Sequence, residues 1–353
     1  MKAFLKTQAA IQVAIHKELV IEELEIPEPL PDQVVVKLFS SGICYTQINQ
    51  MHHPDLKRPL LLGHEGVGVV THLGRDISHV KEGDHAIVSW IPRSSIKGNW
   101  APGQTGVTCR GEPLHGVIYT WGEHVLTLGE HVVSIPSEFS DGYSCIVGCP
   151  VPSGAGAVLN TAKVCSGQSV VVFGMGGVGL SAICMASILG ANPIIAVDIK
   201  DDKLNFAKDF GATHIVNASQ QDPVKEIQVI TNSGADFAFD ATGVRMTAEQ
   251  LLPSTRGGGP GADNHGGMSV LIGTSGTEIT LDPRLILGPQ RQYRGSLGAA
   301  TPEKDFKMFL RLYKEGIFPL NKMVTRQYRL EQINEACEDL IGGNILGRAI
   351  VLY

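Results

Sequence analysis

Residues 169–179 read SVVVFGMGGVG, an apolar run that leads directly into closely spaced glycines and then a helical pattern. The run predicts a buried strand, and the glycines form a G-x-G-x-x-G pattern at the start of the next helix. The first glycine permits a tight turn, the second lets backbone approach a pyrophosphate, and the third lets helix and strand pack closely. The helix N-terminus offers free N–H groups and a partial positive charge. The stretch therefore predicts a phosphate cradle made of Gly174, Gly176, Gly177, Val178 and Gly179.

Asp198 ends the next apolar run, nineteen residues after Gly179. At that place an acidic side chain accepts hydrogen bonds from the adenosine ribose and repels a 2′-phosphate. The pair of motifs predicts a Rossmann fold that binds NAD(H) in preference to NADP(H). The alternative is a glycine-rich turn of another α/β fold, with Asp198 capping a helix.

The rest of the chain shows two different sequence patterns. The first third has short apolar runs punctuated by Pro and Gly, which predicts β-structure. From residue 170 onwards, apolar runs alternate with helical patterns, as a parallel sheet covered on both faces requires. The predicted strands are 34–38, 67–70, 85–90, 169–174, 193–198, 214–217, 237–240, 268–273 and 348–353, and the predicted later helices are near 223–232, 246–252, 303–315 and 331–341.

Length, charge and cysteine use exclude several classes of protein. The 353 residues suit two domains, and a net charge of −6 gives no general electrostatic reason to bind nucleic acid or an acidic membrane. The N-terminus lacks the pattern of a signal peptide, and no apolar stretch reaches the length of a membrane span. Seven scattered cysteines predict thiols or metal ligands better than a disulfide framework. We therefore expect a cytoplasmic protein with neither nucleic-acid nor membrane partners.

A second pair of motifs offers metal ligands. Cys44 lies in GICYT (42–46) and His64 lies in LGHEGVG (62–68). Zinc binds thiolate and imidazole well, and a catalytic zinc keeps three protein ligands and one open position. Either residue alone also fits a buried apolar thiol or a structural histidine. Spacing leaves four candidates for the third ligand, Cys109, Cys145, Cys149 and Cys165.

Several stretches together resemble a known family. These are GICYT, GHEGVG, VKEGDHAIV, GCPVPSGAGAVLNTAKV, VFGMGGVG, AVDIKDDKL and the closing LGRAIVLY. At these stretches, from end to end, the chain resembles the zinc-dependent alcohol dehydrogenases of the medium-chain dehydrogenase/reductase family.

The resemblance implies a role for individual residues. Cys149 would be the third catalytic zinc ligand beside Cys44 and His64, with Glu65 next to the metal. Thr46 would take the proton of the alcohol. The further implied contacts are Trp90 with the substrate, Ser153 with the nicotinamide, Lys203 with the adenosine ribose and Arg348 with the pyrophosphate. Trp90 and Ser153 also fit ordinary packing.

The resemblance also implies the architecture and the reaction. A GroES-like β-barrel catalytic domain would comprise residues 1–150 and 298–353, and a Rossmann domain would comprise residues 151–297. Hydride would pass between the nicotinamide and a small neutral alcohol or aldehyde, in a cleft poor in Lys and Arg. The expected assembly is a homodimer or homotetramer.

Four positions depart from the family pattern. The stretch 92–111, where many members hold a structural zinc with four cysteines, has only Cys109, so we predict a single catalytic zinc per chain. Tyr45 replaces a basic residue that meets the pyrophosphate. Asn49 replaces a histidine that passes a proton to solvent. Gln47 replaces an acid that orients the metal-binding histidine.

Three other functions stay open from the sequence. A polyol or sugar dehydrogenase of the same superfamily often has Glu in place of the third cysteine, and Cys149 argues against it. A zinc-free reductase would lack Cys44 and His64. The altered proton route would also suit a catalytically silent NAD-binding protein.

Overall fold

The computed structural model describes residues 4–94, 105–116, 118–274 and 276–353. The strands are β1 Leu5–Gln12, β2 Val20–Ile26, β3 Gln33–Ile43, β4 Leu60–Leu61, β5 Glu65–Leu73, β6 His85–Ser89, β7 Thr108–Cys109, β8 Glu112–Pro113, β9 His124–Leu128, β10 Val132–Ile135, β11 Val170–Phe173, β12 Ile194–Asp198, β13 His214–Asn217, β14 Phe237–Asp240, β15 Met268–Leu271, β16 Gln292–Gly295, β17 Val324–Arg329 and β18 Arg348–Leu352.

The α-helices are α1 Tyr45–His52, α2 Pro150–Gly156, α3 Gly177–Ile188, α4 Asp201–Lys208, α5 Pro223–Thr231, α6 Arg245–Ser254, α7 Arg284–Leu287, α8 Pro302–Lys314, α9 Leu320–Met323 and α10 Ile333–Ile341. Helix α2 continues into a π-helix, Ala157–Ala162. Short 3₁₀ segments are Gly129–His131, Ser137–Phe139, Gly142–Gly148 and Leu330–Gln332.

The chain divides into two compact units. Unit 1 combines Met1–Cys149, Thr301–Gly316 and Leu320–Tyr353, and unit 2 combines Pro150–Ala300 with Ile317–Pro319. Compactness by itself assigns no role to either unit, so the functional domains predicted from the sequence stay a prediction.

Unit 1 is built on two sheets. One has the order β4-β1-β2-β7-β8, and the other has the order β10-β6-β5-β3-β18-β17 with β9 also paired to β3. Strand β3 is the centre of the larger sheet because it pairs with β5, β9 and β18. Its apolar run Val34–Val36 is completely buried, and its pairing register with β5 shifts between Val35 and Val36 and again between Leu38 and Ser40. Strand β3 ends at Ile43, directly before Cys44.

The two longest helices of unit 1, α8 and α10, each bury an apolar face. Helix α10 buries Ile333, Ala336 and Cys337, at the spacing that places side chains on one face of a helix. The predicted helices 303–315 and 331–341 and the predicted closing strand are confirmed. The two-residue strands β4, β7 and β8 have no sequence signal of their own and were not predicted.

Unit 2 is a six-stranded parallel sheet. Its order is β13-β12-β11-β14-β15-β16, and every neighbouring pair is parallel. This is the Rossmann strand order, which reverses between β11 and β14, so the predicted parallel sheet is confirmed. Ligands of such sheets bind at the carboxyl ends of the strands beside this reversal.

The glycine-rich segment 256–267 lies at the amino ends of these strands, directly before β15. Arg256 Nε donates to Asp236 Oδ1 over 2.6 Å, and Gln290 Nε2 donates to the carbonyl of Gly261 over 2.9 Å. The segment therefore lies at the end of the sheet formed by the amino ends of the strands, opposite their carboxyl ends.

Over the described residues, no single helix has the length and apolar composition to cross a membrane. One bent pair, Gly142–Gly148 with Pro150–Ala162, meets that test by length and composition alone.

Candidate functional site

The first candidate site lies in unit 1, where element ends meet. Cys44 is the N-cap residue of α1, directly after β3. His64 directly precedes β5, whose first residue is Glu65. Cys149 follows the 3₁₀ segment Gly142–Gly148. Because each side chain belongs to the end of a packed element, the backbone fixes where it points.

The four side chains form a tight cluster. One ligand atom from each of Cys44, His64, Glu65 and Cys149 lies within 4.8 Å of the others, and this is the cluster of metal-binding side chains found in the described part of the chain. Sγ of Cys149 lies 4.0 Å from Sγ of Cys44 and 3.1 Å from Nε2 of His64. Of the four thiols that spacing had left open, the structure brings Cys149 into this cluster.

These separations fit a zinc ion. Bonds of about 2.3 Å to sulfur and about 2.0 Å to nitrogen in a tetrahedral site separate two sulfurs by roughly 3.8 Å, and sulfur from nitrogen by roughly 3.5 Å. The observed distance between the two sulfurs, 4.0 Å, is slightly longer than the ideal one, and the observed distance from sulfur to nitrogen, 3.1 Å, is slightly shorter. Small rotations of these side chains would therefore be enough to accommodate a zinc ion. Two thiols and an imidazole are also the donor types that zinc prefers.

The electrostatics of the thiols favour a bound cation. The pKa of Cys44 lies well below its usual range because Cys149 donates a hydrogen bond to its sulfur and because Arg348 and His64 lie nearby. The pKa of Cys149 is raised because it is that donor and because burial disfavours a second thiolate. The pair therefore loses one proton readily, and a cation between the sulfurs would favour loss of the other.

Glu65 is a buried carboxylate with one unsatisfied oxygen. Oε1 forms an ion pair with Arg348, whereas Oε2 is buried and has no hydrogen-bond partner among the described residues. Burial raises the pKa of Glu65 to about 7 against the opposing charge of Arg348. A Cβ at Gly42 would lie 2.3 Å from Cδ of Glu65, so only glycine leaves room for this carboxylate. An orphaned carboxylate oxygen beside two thiols fits a cation site.

The Glu65–Arg348 pair was missed by the sequence analysis. Arg348, predicted to contact the pyrophosphate, is buried at the start of β18 in this ion pair. No sequence signal could have found the pair, since 283 residues separate its members. The pyrophosphate contact stays a prediction.

Helix α1 carries three predicted residues of the site. The Thr46 hydroxyl lies 3.5 Å from Sγ of Cys44, and Gln47 contacts Nδ1 of His64. Tyr45 is 51% exposed. Trp90 lies directly after β6 and is half-buried. Its backbone N–H donates a hydrogen bond to the backbone carbonyl of His64 over 3.0 Å.

Arg58 fixes the far end of α1, and the sequence analysis missed this residue. Its guanidinium donates to the carbonyls of Gln50, Met51, His53 and Leu56 and to the side chain of Gln12. All five N–H groups of the guanidinium are therefore used.

The second candidate site is the phosphate cradle of unit 2. Gly174 has φ +92°, which only glycine adopts without strain, and a Cβ at Gly179 would lie 1.8 Å from the carbonyl oxygen of Gly174. A Cβ at Gly176 would meet nothing within 4 Å, so the middle of the cradle has space for a ligand. Gly177 and Val178 form the first turn of α3. The loop thus has the close packing and the opening that the motif predicts.

Asp198 ends β12 and holds the cradle. Its Oδ2 accepts from the N–H of Met175 over 2.8 Å, and its Oδ1 accepts from the N–H groups of Ile199 and Lys200. Lys203 lies half-buried in α4, and Ser153 is buried in α2.

A group of hydrogen-bonded side chains surrounds Asp240 at the end of β14, and it was not predicted from the sequence. Thr242 and Thr247 donate their hydroxyls to Asp240 Oδ1 over 2.6 Å and 2.9 Å. A Cβ at Gly174 would lie 2.5 Å from the methyl of Thr242, so this group supports the wall of the cradle. The only sequence signal was the position of Asp240 at the end of the run FAFD (237–240).

Part of the stretch 92–111 lies outside the described residues, namely 95–104. The absence of a structural zinc therefore stays a prediction.

Comparison with known proteins identifies both units. The family model described as the alcohol dehydrogenase GroES-like domain matches residues 30–137, and the one described as zinc-binding dehydrogenase matches residues 177–315. These matches confirm the predicted fold class of a GroES-like domain with a Rossmann sheet.

Relatives and solved structures cover nearly the whole chain. An S-(hydroxymethyl)glutathione dehydrogenase of Komagataella pastoris is 30% identical, over 99% of this chain and 98% of the relative. An alcohol dehydrogenase zinc-binding domain protein from Burkholderia ambifaria is 30% identical, with a TM-score of 0.90 and 99% of each chain covered. Benzyl alcohol dehydrogenase from Acinetobacter calcoaceticus is 27% identical, with a TM-score of 0.88 and 99% of each chain covered. The chain therefore belongs to the zinc-dependent alcohol dehydrogenases of the medium-chain dehydrogenase/reductase family, oxidoreductases that act on CH–OH groups.

Proposed function

We propose that this protein transfers hydride between NAD(H) and a small neutral alcohol or aldehyde, with one zinc held by Cys44, His64 and Cys149. The observation that carries the proposal is the buried cluster of two thiols, an imidazole and a carboxylate within 4.8 Å. When bound, the zinc supplies a Lewis acid that polarises the C–O bond of the substrate.

Residues around the cluster would handle the proton and the charge. Thr46, with its hydroxyl 3.5 Å from Sγ of Cys44, would relay the proton that the alcohol loses. Its oxygen would take up that proton while its own hydroxyl proton passes on through the coenzyme ribose and water. Glu65 and Arg348 would balance the charge of the centre, since their ion pair is buried beside it. Trp90 would form part of the substrate-binding wall.

Residues of unit 2 would bind the coenzyme. The cradle Gly174–Gly179 would receive the pyrophosphate at the N-terminus of α3. Asp198 and Lys203 would contact the adenosine ribose, and Ser153 the nicotinamide. The carboxylate of Asp198 would favour NAD(H), because it repels the 2′-phosphate of NADP(H).

Unit 1 would be the catalytic domain and unit 2 the coenzyme domain. We infer a homo-oligomer, supported by the open outer edge of β16 in unit 2. A cytoplasmic location suits the seven free cysteines, six of them buried.

Metal content measured together with activity tests the proposal. We expect one zinc per chain and turnover of NAD⁺ with members of a panel of primary alcohols, aldehydes and diols. Cys149→Ser should lose most of the zinc, whereas Cys145→Ser is the matched control: a buried thiol four residues earlier, outside the cluster. Two zincs per chain, zinc that survives Cys44→Ser with His64→Ala, or loss of zinc in Cys145→Ser instead would refute the assignment. A preference for diols would favour the polyol dehydrogenase alternative.

A further inference from the structure

Gln47 joins the backbone of one candidate ligand to the ring of another. Its side chain has no exposed surface. Its Oε1 accepts a hydrogen bond from the N–H of Cys44 over 3.0 Å, and its amide nitrogen contacts Nδ1 of His64. The other ring nitrogen of His64 faces Sγ of Cys149 over 3.1 Å.

The amide nitrogen of Gln47 is a hydrogen-bond donor at the place where a metal-bound His64 would need a hydrogen-bond acceptor. When Nε2 of a histidine binds a metal, the ring proton stays on Nδ1, which then donates a hydrogen bond. The amide nitrogen of Gln47 is also a donor and cannot accept that bond. The one acceptor atom of the amide is its oxygen, and this oxygen faces the N–H of Cys44, while the amide nitrogen faces the ring of His64.

Rotating the amide does not remove the conflict. With the oxygen turned toward His64, the amide nitrogen would face the N–H of Cys44, again donor against donor. A buried donor left without an acceptor destabilises the state that contains it. A carboxylate at this position would have one oxygen for each N–H group.

We propose that Gln47 is a positioning residue that weakens metal retention, because the Cys44 N–H and the metal-state Nδ1–H of His64 compete for its single amide oxygen. The proposal rests on the proposed function only in taking Cys44, His64 and Cys149 as the zinc ligands. Metal loading and the hydrogen bonding at the start of α1 are then coupled through one side chain.

Zinc retention in the full-length, zinc-loaded protein tests the proposal. Loss of zinc to excess EDTA is followed for the unmodified protein and for Gln47→Glu, and we expect loss to be about 10- to 100-fold slower in the variant. The matched control is Gln50→Glu, which adds the same charge to the same helix three residues after Gln47 and so tests the effect of the charge alone. Its rate of zinc loss should equal that of the unmodified protein.

Amide hydrogen exchange at Cys44 provides a second readout that charge alone would not change. In the zinc-loaded state, the Cys44 N–H should exchange faster in the unmodified protein than in Gln47→Glu, where a second oxygen is free to hold it. Equal zinc loss in the unmodified protein and Gln47→Glu, faster loss in Gln47→Glu, or the same slowing in Gln50→Glu would overturn the proposal. Failure of the ligand assignment is distinguishable, because zinc would then survive Cys44→Ser.

Discussion

At the scale of single residues, Thr46 has the hydroxyl that lies beside the Cys44 thiol, and it carries the proposed proton transfer. Removing a positioned proton acceptor costs about 10²-fold or more in rate. We therefore expect Thr46→Ala to lower kcat for alcohol oxidation at pH 7 by at least that factor. Thr46→Ser, which keeps the hydroxyl, should retain most of the activity. Near-normal turnover of Thr46→Ala would contradict this role.

We propose that Asn49, which stands in place of a histidine, slows the release of that proton. It is exposed on α1, one helical turn after Thr46, and an amide does not titrate near neutral pH. Asn49→His should raise alcohol oxidation at pH 7 and add a titration near the usual histidine pKa of about 6.5. The pH–rate profile of kcat measures both effects. A profile that is unchanged by Asn49→His would show that the proton takes another route.

The carboxylate of Asp198 combines a proposed role in coenzyme selection with a structural role. It would select NAD(H), and it holds the turn of the cradle through the N–H of Met175. Asp198→Ala should lower the ratio of kcat/KM for NAD⁺ to that for NADP⁺, and it should also raise KM for both coenzymes. Asp202→Ala, an exposed acid in the next helix, is the control and should change neither. Faster turnover with NADPH than with NADH in the unmodified protein would contradict the selection.

At the scale of elements, α1 depends on Arg58 at its C-terminus. The guanidinium holds four backbone carbonyls and Gln12, a fork that an ammonium cannot reproduce. Arg58→Lys should destabilise α1 locally by about 2–3 kcal/mol, which corresponds to roughly 30- to 150-fold faster amide exchange in residues 45–52. The exposed Arg75, replaced by Lys, is the control. Unchanged exchange in Arg58→Lys would show that packing alone fixes the helix.

Elements also show what the sequence could predict. Five strands of unit 2 were predictable because each carries an apolar run, whereas β16 (QYRG) has none and was not predicted. The cradle was predictable because its glycines have fixed spacing. The choice of Cys149 needed a family resemblance, since spacing does not distinguish it from Cys145. The partner of Glu65 could not be predicted, because β5 and β18 are far apart in sequence and are brought together by the pairing of both with β3. Side-chain hydrogen bonds such as those of Arg58 depend on where loops turn, and local patterns do not encode that.

At the scale of the whole molecule, β16 is the last strand of its sheet, and one of its edges is unpaired among the described residues. Exposed Leu287 (83%) and Leu297 (71%) lie close to it in sequence. An open edge with apolar neighbours favours pairing with a second copy of the chain. Leu297→Glu should shift the protein toward monomer in light scattering. Val229→Glu, at a residue of α5 that is 76% exposed, should not. A monomeric unmodified protein would contradict the inference.

Gly42 has a consequence for how this sequence can change over evolutionary time. Since a Cβ there would lie 2.3 Å from the carboxyl carbon of Glu65, the two positions share one volume. Alanine at position 42 requires a shorter side chain at position 65, and the shorter side chain would in turn leave the guanidinium of Arg348 without its counter-ion. The three positions are therefore expected to covary among homologous sequences, with no accessible single-step path through any one of them.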